Sequence, residues 1–202
     1  MSFFGPLPEE PPQPPAPPAR RMPAWVGPPE DVLPGVVALE LPLVDTDQQV
    51  MWIAAAEAYP AGVTFSVLMC GRRPARDGVE SGSGTWRFGV QFSDGRKATV
   101  HGVGMFSRNA VSSVAGGVAI PADHRQPPPD GPVLRARGGG GSRSIWRQQY
   151  WLWPLPPAGD VLFACEWPDL QIDFSTATIS ADPILKAASR ARPMWPGQEP
   201  LA

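Results

Sequence analysis

Histidine and cysteine, the side chains that most often hold metals or act as bases and nucleophiles, are scarce in this sequence. It contains two histidines, His101 and His124, and two cysteines, Cys70 and Cys165. A structural zinc site takes four such ligands, and its cysteines commonly come in Cys-x-x-Cys pairs. Neither cysteine belongs to such a pair, so we predict that the protein binds no metal ion and no cofactor.

Two short motifs offer other kinds of ligand chemistry. Asp45 and Asp47 lie close together, but a calcium site needs about six to eight oxygen ligands. The run Gly138–Gly141 is followed by serine, without the Gly-Lys-Ser/Thr ending of a phosphate-binding loop. We interpret the aspartates as a solvated turn and the glycines as a flexible link between strands. No spacing marks a nucleophile elbow, so the sequence predicts that the protein is not an enzyme.

Basic and aromatic residues occur together around the glycine run, as they do in some sites for single-stranded nucleic acid. The charge of the whole chain argues against that use. With 17 basic and 19 acidic residues the formal net charge is −2, which provides no long-range attraction for nucleic acid. We therefore predict no nucleic-acid partner. The residues concerned are Arg135, Arg137, Arg143, Trp146, Arg147 and Tyr150.

The hydropathy pattern argues against a membrane protein. No stretch approaches the roughly 18 apolar residues of a membrane-spanning helix. The first ten residues also lack the basic start and the apolar run of a signal peptide. We therefore expect no membrane partner and a cytoplasmic protein, in which Cys70 and Cys165 are buried, reduced thiols.

The most aromatic stretch, residues 146–167, contains four of the eight tryptophans. Apolar strands at 145–153 and 161–167 are separated by a proline-rich segment, which predicts a hairpin with a stiff loop. Both faces of the first strand carry rings, so we expect the opposing sheet on one side and the tail or a partner on the other. Such rings are usually core, but one face could bind a ligand or a protein.

A further tryptophan, Trp25, stands alone in the N-terminal region, where it can anchor that region to the body. The candidate interaction residues are therefore Trp146, Tyr150, Trp151, Trp153 and Trp25.

A second hairpin is predicted over residues 85–102, and the chemistry of its faces selects the register. With a three-residue loop at 93–95 and Gly95 in the left-handed conformation, Phe88 faces Val100 and each face is uniform. Residues 48–59 are ambiguous, because they have high helix propensity. The Pro-Ala-Gly turn that follows them favours a strand, which we predict.

Proline divides the chain into a tail and a body. Twelve of the 28 prolines lie in residues 1–34, which predicts a disordered Pro-rich tail with PxxP motifs for an aromatic groove. Residues 35–195 are predicted to form one domain, and residues 196–202 a flexible C-terminus. The domain should end in a short helix that Asp182 caps and Pro193 terminates. The predicted fold is all-β, a two-sheet antiparallel β-sandwich of seven to nine strands.

Four motifs in the body carry a resemblance to a known family. They are RFGVQFSDGRK from Arg87, the glycine run, WLWPLPP from Trp151 and CEWP from Cys165. Together they resemble a family of actinobacterial proteins without a known function, over residues 36–195. The resemblance implies a compact β-rich body and a strand at 48–59, and it implies no catalytic residue.

These observations favour recognition over catalysis. We expect a non-enzymatic protein-interaction module that binds a protein partner through an aromatic surface, through the Pro-rich tail, or through both. One alternative is a β-sandwich that binds a small molecule or a carbohydrate with the same rings. The other is an enzyme with an unmarked active site.

Overall fold

The computed structural model describes residues 22–72, 85–103, 129–142 and 144–195, which form two antiparallel sheets. The larger sheet contains, in spatial order, Gly35–Asp45 (β2), Gln49–Ala58 (β3), Val63–Gly71 (β4), Ile145–Trp153 (β8) and Val133–Gly141 (β7). The smaller sheet contains Ile172–Ser180 (β10), Asp160–Trp167 (β9), Thr85–Gln91 (β5) and Lys97–Val103 (β6). Outside them lie a ribbon of Val32–Leu33 (β1) and Arg192–Pro193 (β11), and the helix Asp182–Ala188 (α1). The predicted sandwich and its strand number are confirmed.

The inner faces of the two sheets pack through large aromatic side chains. Phe65 of β4 and Phe163 of β9 meet edge to face, with ring centroids 4.9 Å apart. The ring centroids of Phe88 in β5 and Tyr150 in β8 lie 4.7 Å apart. Alternation along each strand sends every second side chain into the gap between the sheets, which explains why these rings form one core.

Two sequence predictions about strands are confirmed. Within residues 48–59, strand β3 occupies Gln49–Ala58, and there is no helix. In the β5–β6 hairpin, Val90 is paired with Ala98 and Phe88 with Val100. Gly95 has a φ of 86°, the left-handed conformation that the three-residue loop requires. The register predicted by keeping apolar and polar side chains on opposite faces of the hairpin is therefore confirmed.

The predicted tryptophan hairpin is wrong, because β8 and β9 lie in different sheets. The segment between them, residues 154–159, is held at both ends. The backbone N–H of Leu155 donates to the carbonyl of Ala61 in the larger sheet's β3–β4 turn. The hydroxyl of Ser93, in the smaller sheet's β5–β6 turn, donates to the carbonyl of Ala158. The proline-rich segment thus spans the roughly 10 Å between packed sheets instead of turning within one sheet.

The C-terminal helix forms, but it is shorter than predicted. It ends at Ala188, because Arg192 and Pro193 pair with the short strand β1. Asp182 is the first helical residue rather than the cap, and its backbone N–H donates to the hydroxyl of Ser180. Within the described residues, no helix has the length and apolar character needed to cross a membrane.

The tail boundary predicted at residue 34 falls inside the folded part of the protein. Val26 and Val32 are buried, and the backbone N–H of Met194 donates to the carbonyl of Asp31. The body therefore includes residues 22–34, which pack on it through apolar side chains and main-chain hydrogen bonds. The proline-rich residues 1–21, the C-terminal residues 196–202 and His124 lie outside the described residues.

Candidate functional site

The outer face of strand β8 carries two surfaces that could bind a partner, one at each end of the strand. Its odd-numbered side chains point to the outer face of the larger sheet, away from the smaller sheet, because the even-numbered Tyr150 and Leu152 belong to the core. Along this outer face, Trp151 and Trp153 are covered by residues 22–31, which we call the docked segment. Ile145, Arg147 and Gln149 are not covered in this way. One strand thus has a closed half and an open half.

The docked segment is held by side chains of the sheet that bind its backbone. The indole Nε1–H of Trp151 donates to the carbonyl of Ala24 at 2.9 Å. The Nε–H of Arg135 donates to the carbonyl of Trp25 at 3.1 Å. The Trp25 ring meets Trp153 edge to face, with centroids 6.0 Å apart. Trp25 is therefore an anchor, as the sequence predicted.

The five aromatic candidates divide between the two faces of β8 and the docked segment. Trp25, Trp151 and Trp153 come together on the outer face, where Trp151 also packs edge to face on Tyr59. Trp146 and Tyr150 belong to the inner face and pack with the main core. Trp151 has 0 % of its surface exposed, so it reaches a partner only if the docked segment moves. The sequence predicted that the tail or a partner would cover this face of β8. In the structure, the docked segment of the same chain covers Trp151 and Trp153.

The open half of the face forms a shallow groove of about 430 Å³. Its floor and walls combine apolar side chains, one guanidinium, one amide and glycine backbone. Ile145 is 48 % exposed there. We call this surface the glycine groove, and it is lined by Leu68, Gly138, Gly139, Gly140, Ile145, Arg147 and Gln149.

The glycine run forms the end of edge strand β7, and its prediction as a flexible link is wrong. The run pairs with β8, where Gln148 is a buried side chain. Its amide donates to the carbonyl of Arg137 at 2.7 Å, where the β7–β8 pairing shifts register between Ala136 and Gly139. A Cβ at Gly139 would lie 2.5 Å from the Gln148 side-chain oxygen, so a larger residue there would displace the Gln148 amide.

Two other glycines shape the groove by leaving space. A Cβ at Gly138 or Gly140 would meet no atom within 4 Å. Gly140 is the cross-strand partner of Arg147, which in turn is paired with Leu68. The row continues to Trp52 on β3. A side chain at Gly140 would fill the space beside Arg147, so the groove exists because this row ends in glycine.

Arg147 gives the groove its charge. It is exposed, and it makes no ion pair with any residue that the structure describes, where Arg87–Glu166 and Arg96–Asp94 are the pairs observed. None of the described residues that line the groove is acidic. An anionic group that enters the groove would therefore meet an uncompensated cation beside apolar surface.

The sequence carried a partial signal for this site. Arg147 lies close to the glycine run in the sequence, among the basic and aromatic residues that surround that run. Leu68 was missed, since it joins the site only through the pairing of β4 with β8, and Gln149 was missed although it lies on the same strand as Arg147. Period-two alternation in β8 was the available clue, because it places Ile145, Arg147 and Gln149 on one face.

The described part of the chain contains no group of three or more His, Cys, Asp or Glu residues that could hold a metal ion. Cys70 and Cys165 are free thiols, and Cys70 is partly exposed rather than buried as predicted. His101 lies opposite Arg87 in the β5–β6 pairing.

Burial makes Cys165 a poor nucleophile, which leads to a test of the core. Burial, and then the negative charge of Glu166, raise the pKa of Cys165 to about 12. Since the thiolate is the reactive form, we expect iodoacetamide at pH 8 to modify Cys70 in the folded protein and Cys165 only after unfolding. An unfolded cysteine has a pKa of about 8.5. Peptide mass spectrometry measures both rates, and equal rates in the folded protein would contradict the burial of Cys165.

Comparisons with known proteins give no relative from which a function could be transferred. No family model matches the chain, and neither the curated proteins nor the solved structures include a significant match.

Proposed function

We propose that this protein is a non-enzymatic interaction module that holds an extended, carboxylate-bearing segment of a protein partner in the glycine groove. The observation that supports this proposal most directly is Arg147, an exposed cation without an ion pair among the described residues, in a groove whose described lining residues include no carboxylate. A carboxylate would form a charge-assisted hydrogen bond there.

The shape of the groove favours a protein segment over an enclosed small molecule. The groove is open, and its floor is a row of side chains across neighbouring strands, which suits a chain laid over the sheet. Leu68 and the half-exposed Ile145 provide apolar contact. The exposed glycines leave main-chain groups accessible, and extended peptides commonly use such groups for binding.

The charge and the shape of the groove can be altered separately. Arg147→Glu reverses the charge, and we expect it to weaken partner binding at least about tenfold, since a hydrogen bond to a charged group contributes about 1.5–3 kcal/mol. Gly140→Val fills the groove where no atom lies within 4 Å of the new Cβ. Lys97→Glu, an equal charge reversal on an exposed residue of the other sheet, is the matched control.

The measurement is affinity capture from an extract of the source cells, with a photo-crosslinking amino acid at position 149. The proposal predicts a protein that is captured by the wild type and Lys97→Glu, lost from both groove variants, and crosslinked through position 149. Identical protein lists from all four baits would refute it. Native mass spectrometry of the purified protein provides the other outcome, because a small molecule retained by the wild type and lost from the groove variants would support the ligand-binding alternative.

The proline-rich residues 11–18 are a second candidate contact, as a PxxP ligand for an aromatic groove of a partner. The matching truncation removes residues 1–21 only, since residues 22–34 pack on the body. Partners that disappear with this truncation, but not with Arg147→Glu, bind the proline-rich segment.

The proposal also places the protein in the cytoplasm. Its support is chemical: both cysteines are free thiols, and a reducing compartment keeps them so. Fractionation of source cells tests this placement, and recovery of the protein in a secreted fraction would contradict it.

A further inference from the structure

The docked segment has the features of a bound peptide. It contacts the sheet through backbone carbonyls of Ala24 and Trp25, which accept hydrogen bonds from the sheet's Trp151 and Arg135. Its one large ring, Trp25, meets the ring of Trp153. In peptide recognition, hydrogen bonds to the peptide backbone commonly provide affinity for any sequence. Contacts with particular side chains, such as an aromatic ring, provide specificity.

The sequence of the segment fits this surface closely. A Cβ at Gly27 would lie 2.7 Å from a guanidinium nitrogen of Arg137, so a larger residue there would require the end of the Arg137 side chain to move. Pro23 and Pro28 flank the tryptophan on either side, and proline lowers the conformational freedom that a segment loses when it binds. The surface thus accommodates a proline-flanked tryptophan followed by glycine.

The contact is also separate from the main core. Val32, Tyr59 and Trp151 form a small cluster of their own, against which Trp153 and Ala191 pack. At the C-terminal end of the segment, the described main-chain contacts with the rest of the body are the two-residue ribbon β1–β11 and the hydrogen bond from Met194 to Asp31. A segment with few main-chain hydrogen bonds and its own small apolar cluster can detach locally at a lower free energy than global unfolding requires. We expect this of the docked segment.

We infer that Tyr59, Trp151 and Trp153 form a binding site for a proline-flanked tryptophan segment of another chain, a site that residues 23–29 occupy within the same molecule. The site is distinct from the glycine groove. A tethered segment competes at a local concentration on the order of millimolar, so a free segment binds weakly until the tethered one is impaired or released.

A labelled synthetic peptide of residues 22–31 tests this competition on the full-length protein. We expect it to bind Trp25→Ala at least about tenfold more tightly than the wild type, because that variant weakens the tethered competitor. Binding should disappear when Trp153→Ala is added, and when alanine replaces tryptophan in the peptide. Lys97→Glu serves as the control. Equal affinity for the wild type and Trp25→Ala, or no binding to either, would overturn the inference.

Hydrogen exchange on the unmodified protein gives a measurement that does not depend on any variant. The amide of Met194, which donates to Asp31 of the docked segment, should exchange at least about 100-fold faster than the amides of the central strand β4. If all of them exchange at the same rate, the segment opens only when the whole protein unfolds. The segment would then be a fixed part of the fold, and the inference would fail.

Discussion

Replacement of Trp86 by alanine is expected to lower the free energy of unfolding by about 3–5 kcal/mol, the usual cost of removing a buried Trp side chain. Trp86 is 1 % exposed. Its ring stacks on Phe88 at 5.9 Å and packs on Trp167 at 5.5 Å. The indole Nε1–H donates to the Tyr150 hydroxyl at 2.9 Å. The substitution therefore removes a large ring and a hydrogen bond that joins the two sheets.

The loss is large relative to the roughly 5–15 kcal/mol that stabilises a typical domain. Chemical denaturation measures it, with Trp195→Ala as the control, because Trp195 is 60 % exposed and its loss should change stability by less than about 0.5 kcal/mol. Similar effects of the two substitutions would contradict the position of Trp86 in the core.

The hydrogen bond can be separated from the ring with Tyr150→Phe. This substitution keeps the aromatic contact with Phe88 but leaves the Trp86 N–H without the Tyr150 oxygen, which should cost about 1–3 kcal/mol. Burial raises the pKa of Tyr150 well above its usual range, so the hydroxyl stays neutral and this cost should not change between pH 6 and pH 9. A cost that varies across this range would indicate that Tyr150 ionises.

The features that the sequence predicted correctly are those that neighbouring residues determine. The β5–β6 register followed from the chemistry of facing side chains, such as Phe88 opposite Val100. The Pro-Ala-Gly turn at residues 60–62 identified β3 as a strand despite its helix propensity. In both cases the deciding residues lie within a few positions of the element they determine.

The features that the sequence did not predict depend on contacts between distant residues. Residues 154–159 are compatible with a hairpin or a crossing between sheets, and the choice depends on contacts to Ala61 and Ser93. The glycine run is a strand because it pairs with β8, beyond a register shift at which the Gln148 amide donates to the carbonyl of Arg137. The glycine groove could not be predicted either, since Leu68 reaches it only through the pairing of β4 with β8.

Strand β2 and helix α1 approach each other closely at Gly35, so we expect Gly35→Ala to be strongly destabilising. A Cβ at Gly35 would overlap the backbone carbonyl oxygen of Ala187 in α1 and lie 2.5 Å from its carbonyl carbon. Because main chain cannot rotate away as a side chain can, the helix must shift and withdraw Ile184, which is fully buried. Forcing extra volume into a packed interior costs about 1–3 kcal/mol, and we expect a loss near the upper end.

The matched control for Gly35→Ala is the same substitution at Gly138, where the new Cβ would meet no atom within 4 Å. Alanine there should be neutral or should stabilise the protein by up to about 1 kcal/mol, because it reduces the freedom of the unfolded chain. Thermal and chemical unfolding of the two variants, compared with the wild type, give the contrast directly. If Gly35→Ala proved as stable as Gly138→Ala, α1 would not rest on β2. The helix would then be a peripheral addition to the sandwich rather than part of its core.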